Sequence, residues 1–140
     1  MKILLAVDGS PYTKKMLAYL VTHEHLLGGQ AELTALTVHP ALPARAKAAL
    51  GKDIVETYYA DETEKVMAPV QKFLGRHGLH LARASKTGRP GEAIAKFADA
   101  GRFDLLVMGS HGHGALGNLV MGSVATQVLA QCRVPVLLVR

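Results

Sequence analysis

What this chain of 140 residues has little of narrows its function before any motif is read. Tryptophan is absent and aromatic residues make up only 5%, too few for the stacking platforms on which single-stranded nucleic acids lie. One cysteine, Cys132, leaves no partner for an intrachain disulfide. No apolar run approaches the roughly 18 residues of a membrane span. The opening run Lys2–Val7 is too short for a signal peptide and is cut by Asp8, so the expected location is the cytoplasm. Lysine is missing from residues 103–132, which excludes a phosphate loop of the form G-x4-G-K-[ST] there. No Asp or Glu follows Asp104. The last stretch therefore carries no carboxylate base, and a hydrolase built on it would turn over slowly or not at all.

What is present reads as a globular α/β protein. Hydrophobic residues make up 49%, enough for a packed core, and the length predicts a single domain, residues 1–140. The 16 basic and 11 acidic residues leave a net charge of +5, but the cations are scattered and form no stripe. A nucleic-acid partner is not expected. Short apolar runs at Lys2–Asp8, Glu32–Val38, Leu79–Ser85, Asp104–Met108 and Val134–Val139 read as buried strands. Between them lie helical patterns. The first is capped by Ser10, has Pro11 in its first turn and stops at Gly28-Gly29. The second spans Asp53–His77, with Val55, Tyr58, Tyr59, Val66, Val70, Phe73 and Leu74 on or near one face. The third starts at Pro90 and ends at Gly101, and the last runs Val124–Gln131. Residues 39–52 read as an irregular loop with a helical turn at Ala46–Leu50. Strict strand–helix alternation predicts a parallel sheet with helices on both faces and right-handed crossovers.

The stretch Val107–Ser123, V-M-G-S-H-G-H-G-A-L-G-N-L-V-M-G-S, carries the chemistry. Gly109, Gly112 and Gly122 stand in the spacing G-x2-G-x9-G, with Ser123 next. A strand, a glycine loop and a helix start form a cradle for an anion: glycine admits close approach and positive φ, and the free N–H groups of the helix point at the guest. If the first and fourth strands are neighbours, Asp8 and Gly109 meet at their carboxyl ends, with the end of the second strand near Val38 beside them. Asp8 then either caps the first helix or holds a ribose hydroxyl or a metal riding on phosphates.

Other motifs fall away. Gly112–Gly117 satisfies G-x-G-x-x-G by letter, but it begins well past the strand and lacks the acidic residue about 20 positions on that a dinucleotide site requires. His111 and His113, like His23 and His25, lack a third ligand at metal spacing, so no protein-held metal is expected. Of His111 and His113, one ring is expected to touch a ligand and the other to face water. Cys132 reads as packing filler.

The chain resembles the universal stress protein family, and within it a single-domain member of the adenine-nucleotide α-hydrolase-like group. The opening K-I-L-L-A-V-D-G-S, the turn T-G-R-P-G-E-A-I, the strand D-L-L-V-M-G-S-H-G and the ending G-S-V-A-T-Q-V-L-A-Q-C-R-V-P-V-L-L-V carry the likeness over nearly all of the chain. The glycine spacing is that of the ATP-binding branch. The resemblance implies a Rossmann-like five-stranded parallel sheet in the order 3-2-1-4-5, with ATP or AMP, with or without Mg²⁺, bound between strands one and four. It implies that Asp8 contacts ribose or a phosphate-bound Mg²⁺ and that Val38 lines the adenine pocket. Met108, Gly109, His111 and Gly112 would border ribose and phosphates, while Gly122, Ser123 and Val124 hold phosphates. Ala125 stands where the family often has a hydroxyl residue, which removes one donor. The resemblance also implies a homodimer through the edge strand 134–139. The function expected is a nucleotide-binding regulatory protein of the stress response. The alternatives are a slow ATPase or phosphoryl or adenylyl transferase, and a dimeric interaction module with an empty pocket.

Overall fold

The computed structural model describes residues 1–114 and 120–140. Its elements are β1 (Lys2–Ala6), α1 (Pro11–Thr22), β2 (Glu32–His39), α2 (Ala44–Leu50), α3 (Lys52–Arg76), β3 (Leu81–Thr87), α4 (Pro90–Ala100), β4 (Leu105–Gly109), α5 (Ser123–Gln131) and β5 (Val136–Val139). All four strand pairs are parallel and the order is β3-β2-β1-β4-β5, as the family likeness implies.

Side-chain alternation in the central strands builds two cores. Ile3 and Leu5 of β1 and Val107 of β4 face α1 and α3, packing with Met16, Leu17 and Leu20 and with Met67, Val70 and Leu74. Leu4 and Ala6 of β1 and Leu106 and Met108 of β4 face α4 and α5, packing with Ile94, Ala98, Ala125 and Val128. A β1 and a β4 buried on both faces explain why their sequences read as unbroken apolar runs.

Three local readings need correction. The first helix ends at Thr22, not at the glycine pair. The Thr22 hydroxyl donates to the Ala18 carbonyl at 2.9 Å and the His23 ring binds the Tyr19 carbonyl at 2.9 Å, so side chains take over carbonyls at the last turn. A 3₁₀ turn, Glu24–Leu27, then buries Leu27 while leaving Glu24 in solvent. The third strand starts two residues late because Gly78, at φ +71°, and the bond from Leu79 N–H to the Leu74 carbonyl close the end of α3. Most of the expected loop at 39–52 is helical: α2 spans seven residues, although it buries none of them.

The start of α3 is likewise exposed. Tyr58, placed by periodicity near the buried face, is open to solvent, as are Leu50 and Ile54. The sheet's two outer strands differ in kind. Most of β3 is exposed; Arg83 binds Gln71 and Glu64, and the Lys86 ammonium lies over the Phe97 ring. The outer strand β5 is apolar and half-buried.

Candidate functional site

At the carboxyl ends of β1 and β4 the chain turns to opposite faces, into α1 and into α5. Such a reversal leaves a crevice in open α/β sheets, and here it is a cavity of about 480 Å³, within the usual range for small-molecule sites. All nine residues singled out from the sequence line it: Asp8, Val38, Met108, Gly109, His111, Gly112, Gly122, Ser123 and Val124. The cavity has two characters. Ala6, Leu36, Val38, Pro40, Pro90, Ile94 and Met108 form an apolar wall, whereas Asp8, Thr13, the glycine loop, His111, His113 and the start of α5 form a polar one. No lysine or arginine is among the described lining residues.

Asp8 braces the first turn of α1 and also lines the cavity. Its Oδ1 accepts from the Ser10 N–H and from the Thr13 hydroxyl, both at 2.9 Å, while Thr13 Oγ1 accepts from the Asp8 N–H at 3.1 Å. That closed ring orients the carboxylate against the first turn of α1, which Ser10 caps. The other oxygen, Oδ2, borders Gly112: a Cβ placed on Gly112 would lie 2.7 Å from it.

The three motif glycines are required for space and not for backbone freedom. None of them has positive φ; beside the cavity that conformation occurs at Gly9 (φ +76°) and Gly114 (φ +74°). A Cβ on Gly109 would meet Tyr12 Cβ at 2.7 Å, and one on Gly122 would meet His111 Cα at 3.1 Å and the Ser110 carbonyl at 3.3 Å. Bare main chain at these points lets Ser110 and Gly122 come together, with the Gly122 N–H donating to the Ser110 carbonyl at 2.7 Å.

That contact delivers the start of α5 to the cavity. Gly122 occupies the cap position, no side chain caps the helix and no acidic residue stands in its first turn. The first-turn N–H groups, beyond reach of any intrahelical carbonyl, therefore sit beside the cavity with the positive end of the helix dipole. Ala125 is buried, so the position that lacks a hydroxyl serves the core as well as the cavity lining. His111 Nδ1 lies 2.8 Å from the Ser110 hydroxyl, and its ring packs at 4.8 Å against Tyr12. His113 is not turned to water alone: its Nε2 donates to the Asp8 carbonyl at 2.7 Å.

Residues that the sequence reading missed come from elements whose place it did not fix. Pro40 directly follows β2, so the rule that ligands sit beyond strand ends could have found it; Thr13 stands three residues after the capping Ser10 and follows from the same turn. Pro90 and Ile94 carry no signal of their own, because only the packing of α4 beside α5 brings them in. The letters Gly112–Gly117 of the rejected dinucleotide pattern run into residues 115–119, outside the described residues. Cys132 lies outside the cavity lining with its sulfur 3.7 Å from the Val134 carbonyl and from Asp99 Oδ1. Burial, reinforced by the Asp99 charge, pushes its thiol pKa up, which makes it a poor nucleophile near neutral pH.

Comparison with known proteins places these features in a group. The model of the Universal stress protein family matches residues 1–140. A universal stress protein of Thermus aquaticus, from the region 3′ of a QAH/OAS sulfhydrylase gene, is 36% identical, with 99% of this chain and 97% of that protein covered. Universal stress protein Slr1230 of Synechocystis is 31% identical over 99% of this chain, which spans only 42% of that longer relative. Among solved structures, MJ0577 of Methanocaldococcus jannaschii superposes with a TM-score of 0.81 at 27% identity, covering 99% of this chain and 94% of that one. An Arabidopsis thaliana member of the family with AMP bound shares the fold at 16% identity and a TM-score of 0.70, covering 99% and 90%. Other family structures hold cAMP or dAMP.

Proposed function

Since the chain belongs to the universal stress protein family, we propose that it is a regulatory protein of the stress response that binds an adenine nucleotide, ATP or AMP, in the cavity between β1 and β4. The observation that carries this reading is one cavity with two ends: an apolar wall suited to a purine, and the bare N–H groups of an uncapped helix start suited to phosphate. In this reading Val38 and the apolar wall flank adenine. Asp8 Oδ2 binds a ribose hydroxyl or a phosphate-borne Mg²⁺, Ser123 and Val124 receive phosphate oxygens through their main-chain N–H groups, and Gly122, whose own N–H is held by Ser110, leaves the room for them.

Regulation is favoured over turnover by what lines the cavity. Asp8 is the one carboxylate among the described lining residues, its Oδ1 is committed to Ser10 and Thr13, and none of those lining residues is a lysine or arginine that could clamp a phosphate. Efficient phosphoryl transfer needs both a positioned base and charge clamps. Titration calorimetry is expected to give a saturable one-to-one heat with ATP or AMP, and mass spectrometry of the denatured protein to find adenylate released from it. Absence of heat with every adenylate tried, Mg²⁺ included, refutes the proposal.

The edge strand supports a second part of the reading. Within the expected segment 134–139, β5 (Val136–Val139) is an apolar strand with an unpaired outer edge, the kind of edge that proteins cover. A twofold copy covers it in a closed manner. Light scattering is expected to report about twice the 14.9 kDa chain mass, and a monomer at micromolar concentration contradicts it.

A further inference from the structure

The H-x-H pair attracts attention in the sequence, yet nucleotide binding as described gives His113 no task. Its ring reaches across the crevice to the carbonyl of Asp8, 105 positions away in sequence, at 2.7 Å. A carbonyl only accepts, so Nε2 must carry the proton. Protonation of the ring at Nδ1 leaves that donor in place.

The bond joins the two lips of the cavity. One lip is the β1–α1 turn, fixed by the ring of hydrogen bonds through Asp8, Ser10 and Thr13. The other is the glycine loop, where Gly112 lies against Asp8 Oδ2 and Gly114 takes φ +74°. Nothing else described ties His113 to the body of the protein, and β4 ends at Gly109, so the sheet does not hold this part of the loop. Both partners in the bond are protein groups, so it needs no ligand to form.

We propose that His113 is a positioning residue: its bond to the Asp8 carbonyl sets the Asp8 carboxylate and the Gly112–Gly114 main chain in register before a nucleotide arrives. The proposal rests on the nucleotide reading for its ligand, but not for the contact itself. A binding-competent arrangement that is only partly populated weakens affinity by its population. Loss of one net hydrogen bond, about 1 kcal/mol, corresponds to about fivefold in such a population.

The test uses His113→Ala and His113→Gln, the second restoring an N–H donor on a side chain of similar reach. Hydrogen exchange is read in the protein freed of nucleotide, at the amides of Ser10, Gly112 and Gly114, and AMP and Mg²⁺–ATP are titrated by calorimetry. His113→Ala is expected to speed exchange and to raise Kd about fivefold, while His113→Gln stays close to the parent in both. Unchanged exchange in His113→Ala overturns the contact whatever happens to binding. Faster exchange with unchanged Kd overturns the positioning role, as does equal weakening in both variants. If no variant and not even the parent binds adenylate while exchange responds as expected, the contact stands. The nucleotide reading then fails, and the positioning role with it.

Discussion

A Gly122→Val protein is expected to fold and to lose adenylate affinity by about a hundredfold or more. The backbone at Gly122 is ordinary, with φ −76° and ψ 164°, so valine meets no torsional barrier there. It meets atoms instead. Its Cβ would stand 3.1 Å from His111 Cα and 3.3 Å from the Ser110 carbonyl, and two further methyls must be placed. The loop has to retreat from α5, which loosens the 2.7 Å bond from the Gly122 N–H to Ser110 and turns the helix start away from the proposed phosphate position. Losing two charge-assisted hydrogen bonds at about 1.5 kcal/mol each gives about a hundredfold. Crowding of this kind lowers stability by about 1–3 kcal/mol, which a thermal melt registers as a moderate fall in Tm. Parental affinity in a valine protein would mean that phosphate does not sit at this helix.

The second large effect separates two functions of one side chain. Asp8→Ala deletes the acceptor shared by the Ser10 N–H and the Thr13 hydroxyl, a loss comparable to removing a helix cap, about 0.5–2 kcal/mol. It also deletes the proposed contact to the nucleotide. Asp8→Asn keeps an oxygen for both protein donors, so its stability should remain within about 0.5 kcal/mol of the parent. It removes the charge that strengthens a bond to ribose or holds a metal, so affinity should drop about tenfold in both variants, the worth of a charge-assisted bond of about 1.5 kcal/mol. Paired melts and titrations decide the matter. Full affinity in Asp8→Asn would reduce Asp8 to a structural residue of the β1–α1 turn.

The parts of this molecule legible from its sequence are those governed by nearest neighbours in the chain. Apolar runs such as Leu4–Val7 and Leu106–Met108 announce buried parallel strands because both of their faces are covered. Ser10 and Pro11 announce a helix start because capping is a local affair. The layering followed from alternation, whereas the strand order came from likeness to a family; no periodicity in β1 or β4 says that they are neighbours. The nine candidate residues meet in one cavity because glycine loops and strand ends are sequence-visible and topology then gathers them. What escaped depends on distant partners. Ile94 joins the cavity through packing of α4, Tyr58 is exposed because α3 begins beyond the core, and the spatial need for glycine at 109 and 122 is set by Tyr12 and His111 across the crevice. Of the two reasons the spacing suggested for those glycines, close approach holds and positive φ does not.

The unlike borders of the sheet have a consequence for assembly. Along β3, Arg83 and Lys86 present cationic stems on an open strand, and charge at a border discourages another strand from docking there. Along β5 the outward side chains are aliphatic. In the proposed dimer, pairing along β5 uses the receptive flank of each copy and leaves the pair only guarded flanks. Under that proposal, strand-by-strand growth stops after one addition, and the charged border of β3 acts as the stop.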